Sequence, residues 1–347
     1  MQGEKSIMKR KTFIIISALL IISLVITACT NDDKEKSNEE DTATQAKEQP
    51  KKSDSGTLQV PKTEMQKKDS GESVKALQQV LSAIGYDIKN TGKFDESTIW
   101  AITDIQLQHE SLPITGIYSE DTAEVVHSLL QDSKEYVPGE GLPFKAEPAA
   151  TKHGSEILAN PYEQLALVNK EHALPEDYIP EDLVIPDVRF PFTEDLPKKQ
   201  MREIAASSLE KLFHAADKAG LDLFAQSGYR SYDRQVSIFT ANVNEHGEEA
   251  ANNFSARPGE SEHQTGLTMD VTSPDVNYQL IIEFGETDEG KWLKEHAAHF
   301  GFIIRYPEGK EAITHYQYEP WHIRYVGKKA AEDIMNNDLT LEEYLSN

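Results

Sequence analysis

The sequence predicts an α+β protein, in which helices pack on a small sheet and a small three-helix unit comes first. Three observations predict it. Val74, Leu77, Val80, Leu81 and Ile84 recur at helical spacing, and Gly85 follows as a stop. Helical and strand-like segments are mixed between residues 161 and 327, the pattern of helices laid on a sheet. Between residues 30 and 70 the chain is rich in Lys, Glu, Asp, Gln and Ser with few large apolar residues, so it cannot bury enough surface to offset its ordering entropy.

The 347 residues leave room for two domains and tails. A formal net charge of −24 argues against a nucleic-acid partner, because a polyanion would be repelled. Cys29 is the sole cysteine, which excludes an intrachain disulfide and a cysteine-based zinc site. Lys9, Arg10 and Lys11 precede an apolar run over 13–26, short for a membrane span and suited to a signal peptide. The run ends in Ile26-Thr27-Ala28-Cys29, which resembles the bacterial lipobox. That resemblance implies a signal peptide over 1–28, acylation of Cys29, and a membrane anchor holding the protein at the extracellular face of the cytoplasmic membrane. Residues 29–70 then form a disordered tether that gives reach to the folded domains.

Residues 71–131 read as a compact unit. After the first helix, Gly92-Lys93-Phe94-Asp95 is a turn with Asp95 capping a second helix, on which Thr98, Ala101, Ile102 and Ile105 fall on or near one face. Gly116 marks another turn, and 119–130 a third helix. The unit resembles the peptidoglycan-binding domain 1 family. Val74, Leu77, Gln78, Leu81, Gly85, Tyr86, Gly92, Phe94, Asp95, Thr98, Ala101, Gln106, Leu112, Gly116 and Thr122 carry the resemblance, and Ile105 departs from it where an aromatic is usual. Most of these are core positions, so a wall-binding role is implied without named contacts.

Pro138, Gly139, Gly141, Pro143 and Pro148 mark 132–160 as a linker. The larger domain spans 161–330. In it, 201–219 is an amphipathic helix ended by Gly220, 221–227 is strand-like, 232–245 is helical and 269–272 is a short strand. Residues 288–300 form a helix stopped by Gly301, and 302–306 and 321–325 are strands. A helical tail covers 331–347.

Three segments carry the chemistry: Ser227-Gly228-Tyr229-Arg230-Ser231; the run from Ser261-Glu262-His263 through Gly266 to Asp270; and Glu319-Pro320-Trp321-His322. Catalytic zinc takes three protein ligands from His, Asp and Glu and keeps a fourth position for water. His263, Asp270 and His322 can supply such a set without cysteine. An ideal strand would point Glu319 and His322 to opposite faces, although Pro320 allows a bend there. Glu262 reads most simply as a solvated carboxylate, and Tyr229 and Trp321 as packing or pocket lining.

Together and in this order, the segments resemble the D-alanyl-D-alanine carboxypeptidases of the VanY type, zinc peptidases related to the VanX dipeptidases. The resemblance runs from about Leu167 to Gly327 and includes Ala256-Arg257-Pro258-Gly259, Arg305-Tyr306-Pro307 and Arg324-Tyr325-Val326-Gly327. It implies a small antiparallel sheet with packed helices, and Zn2+ on His263, Asp270 and His322. It makes Glu319 the catalytic base and Arg230 the residue steadying the substrate carbonyl. Ser261 and Gln235 are candidates for the substrate's terminal carboxylate. His315 departs from the family where glycine is expected, and Thr268 where a small apolar residue is commoner. The function implied is a D,D-carboxypeptidase removing terminal D-Ala from peptidoglycan stem peptides at the cell wall. Its alternatives are an L,D-carboxypeptidase on tetrapeptide stems, an endopeptidase cutting within the stem, or a wall-binding scaffold with an inactive peptidase domain. His296 and His299 share a helical face, but their neighbours Trp292, Ala297 and Phe300 read as packing.

Overall fold

The structure, a computed structural model, describes residues 58–132, 136–143 and 149–346. Cys29, the signal-like run and most of the tether lie outside the described residues. Among the described residues no helix is long and apolar enough to cross a membrane.

The first unit comprises helices α1 (Glu72–Ile84), α2 (Glu96–Leu107) and α3 (Glu120–Gln131). Gly85 ends α1 at φ 121°, a backbone region that a side chain disfavours. Asp95 and Ser119 cap α2 and α3 by accepting from the backbone N–H of Thr98 and Thr122. Leu77, Leu81, Ile99, Ile102 and Val126 fill the centre. Two buried glutamines hold the turns instead of facing a ligand. Gln78 donates to the Lys93 carbonyl and accepts from Gly92 N–H. Gln106 donates to the Ile117 carbonyl and accepts from Thr115 and Gly116.

The stretch read as a linker folds back on α2. Asp104 accepts from the backbone N–H of Gly139 and Leu142 at 2.7 Å each, and Trp100 Nε1 donates to the Leu142 carbonyl. Strands β1 (Ala149–Ala150), β2 (Glu156–Ile157) and β3 (His172–Ala173) form a small sheet in that order. Strand β4 (Leu183–Val184) pairs with β5 (Met201–Arg202). Helix α4 (Glu203–Lys218) therefore starts after Met201 and Arg202, two residues that periodicity alone makes helical; pairing with β4 and the bond from Arg202 N–H to the Gly266 carbonyl hold them extended.

The remaining elements are β6 (Phe224–Ser227), α5 (Tyr232–His246), α6 (Glu248–Phe254), β7 (Thr268–Thr272), α7 (Asp288–His296), β8 (Phe302–Tyr306), α8 (Glu311–Thr314), β9 (Glu319–Tyr325), α9 (Lys328–Asn336) and α10 (Leu341–Ser346). The helix expected over 288–300 is α-helical only to His296 and then tightens to a 3-10 turn that Gly301 closes. The main sheet runs β6-β7-β9-β8 and is antiparallel throughout, as expected. Its order places β7 and β9 at the centre. Along β7, Met269 and Val271 enter the core against Leu209, Leu212 and Phe213 of α4. Strand alternation turns Thr268, Asp270 and Thr272 to the opposite face, which is buried too. The tail, α9 and α10, packs Ala330, Ile334, Leu341 and Tyr344 with Leu165, Ile303 and Val326 in a satellite core.

One turn positions the chemistry. A 3-10 turn, Glu262–Thr265, ends at Gly266 with φ 69°. A Cβ there would stand 2.9 Å from Arg202 Cγ and 3.0 Å from Leu183 Cδ2. Gly266→Ala therefore combines left-handed backbone strain with a clash against a packed arginine. It is expected to lower unfolding stability by about 1–3 kcal/mol; a loss under about 0.5 kcal/mol in urea melts would contradict this account of the turn.

Candidate metal centre

Sheet register brings the distant segments together. Asp270 on β7 pairs with Ser227 on β6 and with His322 on β9, and directly opposed residues of antiparallel strands share a face. Asp270 thus stands between the Ser227–Ser231 segment and the second histidine. His263 arrives from the 3-10 turn just before β7. Donor atoms of His263, Asp270 and His322 lie within 4.8 Å of one another, all three residues are buried, and this is the only such cluster among the described residues.

The tautomers are set by the partners. His263 Nδ1 lies 2.7 Å from the Gly228 carbonyl, which can only accept, so Nδ1 carries the proton. That leaves the Nε2 lone pair facing Asp270 Oδ2 at 3.4 Å. His322 is mounted the other way round. Its Nε2 faces Glu262 Oε2 at 3.6 Å, and its Nδ1 lies 2.9 Å from Asp270 Oδ1. Two ligand atoms about 2.0–2.2 Å from one tetrahedral ion stand roughly 3.3–3.5 Å apart. The Asp270 carboxylate, His263 Nε2 and His322 Nδ1 fit zinc by chemistry; the His263–Asp270 pair stands at that spacing, and the His322–Asp270 pair, at 2.9 Å, is closer, as a hydrogen-bonded pair is.

Charge in the cluster is uneven. Burial, reinforced by Arg230, pulls His263 down to about 3, so it is a neutral imidazole with a free lone pair. Burial also disfavours charge on His322, but its bond to Asp270 and the facing Glu262 carboxylate outweigh that and raise it to about 9. Metal and proton therefore compete for His322.

Glu262 is fully buried, not solvated as its sequence context implied. Its Oε1 accepts from Arg305 Nε and Arg324 Nη1, both at 2.8 Å. Burial opposes its charge, yet these two guanidiniums hold its carboxyl well below the usual range. Arg305 in turn makes a two-pronged pair with Glu342 of α10, at 2.9 and 2.7 Å. The signal for this was present in the repeated Arg residues of β8 and β9, but sequence could not pair them.

Strict strand alternation does not hold at Glu319, because the β8–β9 ladder is irregular there. Tyr306 pairs with Glu319 while Ile304 pairs with Ile323, so the register shifts between them. Glu319 and His322 then line the same cavity, with Arg230, Gln235, Ser261 and His263. Its volume of about 210 Å³ is below the roughly 300–1,000 Å³ of pockets for drug-sized ligands, so it suits a chain end. Burial lifts Glu319 to about 7. Arg230 donates to Gln235 Oε1 at 3.0 Å and lies 3.4 Å from Ser227 Oγ; Gln235 Nε2 donates to the Ala256 carbonyl at 2.6 Å. Gln235 thus fixes the guanidinium as well as lining the cavity.

Tyr306, named only as part of the family resemblance, and Tyr316, which the sequence did not single out, line the cavity as well. Tyr229 and Trp321 are buried outside it. His315 adopts φ 61°, which accounts for the glycine expected there. Thr268 is buried with Oγ1 3.3 Å from His263 Nδ1, a polar neighbour that an apolar residue could not supply. His296 stacks on Trp292 at 4.5 Å, in keeping with a packed helix.

Comparison with known proteins agrees with this centre. Residues 198–328 match the VanY family, described as D-alanyl-D-alanine carboxypeptidase, and residues 70–126 match a family described as "Putative peptidoglycan binding domain". The Bacillus subtilis protein named "Putative carboxypeptidase YodJ" is 56% identical over 191 residues, which are 55% of this chain and 70% of that protein. A bifunctional D-Ala-D-Ala dipeptidase and D-Ala-D-Ala carboxypeptidase, VanXYC of Enterococcus gallinarum, is 33% identical over 189 residues, 52% of this chain and 92% of its own. The solved structure of the LdcB LD-carboxypeptidase is 54% identical, covers 58% of this chain and 93% of its own, and superposes with a TM-score of 0.56. A likeness this extensive, joined to a buried His/Asp/His donor set, places the chain in the VanY/VanX/LdcB superfamily of zinc-dependent metallocarboxypeptidases.

Proposed function

We propose that this protein is an L,D-carboxypeptidase that removes the terminal D-amino acid from tetrapeptide stems of peptidoglycan. The observation that carries the chemistry is the metal donor cluster opening on one cavity with Glu319 and Arg230. The stereochemical choice rests on likeness. The LD-carboxypeptidase structure is 54% identical to this chain, against 36% and 35% for the two Enterococcus proteins named D-alanyl-D-alanine carboxypeptidase. Removal of D-Ala from pentapeptide stems, the D,D reading, is favoured by the VanY family match and is the second reading. The helical module would hold the enzyme to wall polymer, and acylated Cys29 would hold it to the outer face of the membrane.

His263, Asp270 and His322 would hold the zinc ion, which when bound supplies Lewis acidity for amide hydrolysis. Glu319 takes a proton from the attacking water and returns it to the departing amine. An ordinary carboxylate is a weak base at neutral pH; burial brings Glu319 to about 7, near the optimum for both transfers. Arg230, fixed by Gln235, meets the negative charge that develops on the carbonyl oxygen. Ser261 and Gln235 line the same cavity and are the candidates for holding the terminal carboxylate.

Three outcomes test this. Glu319→Gln keeps the shape of the side chain and removes the base, so kcat is expected to fall by about 10²–10⁴-fold with bound zinc retained; substantial turnover by that variant would refute the assignment. Because Glu319 must be unprotonated, kcat/KM should rise tenfold per pH unit on the acid side. It should level off at or below about pH 7, since a nearby cation lowers a carboxyl pKa. A profile with no acid limb at any pH at which zinc stays bound would exclude Glu319 as base. Mass spectrometry of muropeptides should show tripeptide formed from tetrapeptide; tetrapeptide accumulating from pentapeptide, with no tripeptide, would establish the D,D reading instead.

A further inference from the structure

The helical module is not loosely tethered. Arg202, 1% exposed, joins both parts of the chain: Nε donates to Asp182 at 2.9 Å, Nη1 to the Tyr162 carbonyl at 3.1 Å, and Nη2 to the Ile114 carbonyl of the module. Asn160 Nδ2 donates to Thr103 Oγ1 on α2 at 2.9 Å. Lys67 pairs with Glu163 at 3.3 Å and with Glu96 at 2.8 Å. Gln164 N–H donates to the Thr115 carbonyl at 2.9 Å, a backbone bond across the junction.

From Gln164 the bonds continue into the centre. Arg324 Nη2 donates to the carbonyls of Gln164 and Ala166 at 3.1 and 3.0 Å. Its Nη1 donates to Glu262 Oε1, and Glu262 Oε2 faces His322 Nε2 at 3.6 Å, a charge contact longer than a hydrogen bond. Every group from Gln164 to His322 is buried. Buried polar groups are costly to leave unpaired, and close-packed interiors transmit displacement. Arg324 cannot give up the carbonyls of Gln164 and Ala166 without shifting the guanidinium that orients Glu262.

We propose that the helical module is a positioning element of the metal centre: by fixing residues 160–166 it holds Arg324, and through Glu262 it holds His322 with Nδ1 turned to the metal. The proposal needs the zinc site but neither the stem-peptide substrate nor wall binding, so it can fail independently of them. Lys67, Asn160 and Gln164 are positioning residues and touch neither metal nor substrate.

The test uses the full chain and two readings that do not depend on catalysis: zinc affinity by chelator competition, and hydrogen exchange at the Gln164 amide. In Lys67→Ala/Asn160→Ala that amide is expected to exchange at least tenfold faster. Zinc affinity should fall on the order of threefold to tenfold, short of the roughly 10–100-fold typical of a partner bonded directly to a ligand, which is the loss expected of Glu262→Gln. Far-UV circular dichroism of the zinc-free protein checks that the fold persists; should the double variant not fold, Asn160→Ala alone, which removes the bond to Thr103 and the one accepted from Tyr162 N–H, is read the same way. Faster exchange with zinc affinity unchanged within twofold overturns the coupling. Exchange unaltered in every variant overturns the role of these contacts in docking the module.

Discussion

The catalytic half of the molecule is organised around one buried carboxylate. Glu262 accepts from Arg305 of β8 and Arg324 of β9 and faces His322, so one side chain ties two strands to the turn that carries His263. Burying one guanidinium would be costly, and two beside each other more so. The arrangement persists because charge is matched within the cluster: Glu342 supplies the second carboxylate, reached from α10. This explains why a C-terminal helix far from the cavity belongs to the same folding unit as the metal centre. It also explains why the centre is rigid: removing any one member strands a charge in a buried region.

Legibility in the sequence divides along physical lines. The first unit can be read nearly whole because its information is local: periodic apolar residues, Asp95 and Ser119 as caps, and a stop at Gly85. His263, Asp270, His322, Glu319 and Arg230 can be named because their fragments are distinctive, yet only the register of β6, β7 and β9 brings them to one face. Glu262 reads as solvated because a charged residue beside a ligand usually is; only long-range pairing with Arg305 and Arg324 buries it. The Glu319 parity problem is visible in the sequence, but strict alternation fails there through an irregularity of the β8–β9 ladder, and such irregularities leave no period in a sequence. Arg202 hides inside a helical pattern because tertiary pairing overrides local periodicity.

The two histidines show how one centre obtains different chemistry from one residue type. His263 is held by a neutral carbonyl and stays neutral, whereas His322 stands between two carboxylates and draws a second proton when no cation is present. Glu262 then has two functions with one charge. It faces the Nε2 side of His322 at 3.6 Å, which leaves Nδ1 on the side of His263 and Asp270, where a metal would be held. It also adds negative charge near Glu319, favouring the protonated form there alongside the larger effect of burial.

The docked module also bears on how the wall polymer is presented. A module on a flexible linker raises local concentration, while its orientation relative to the catalytic site remains averaged. Here α2 and its neighbouring turns are joined to the peptidase by a buried arginine, an ion pair and a backbone hydrogen bond. Polymer held by such a module would meet the cavity from one direction. On the proposed function, the docked module would set the direction from which a stem peptide enters.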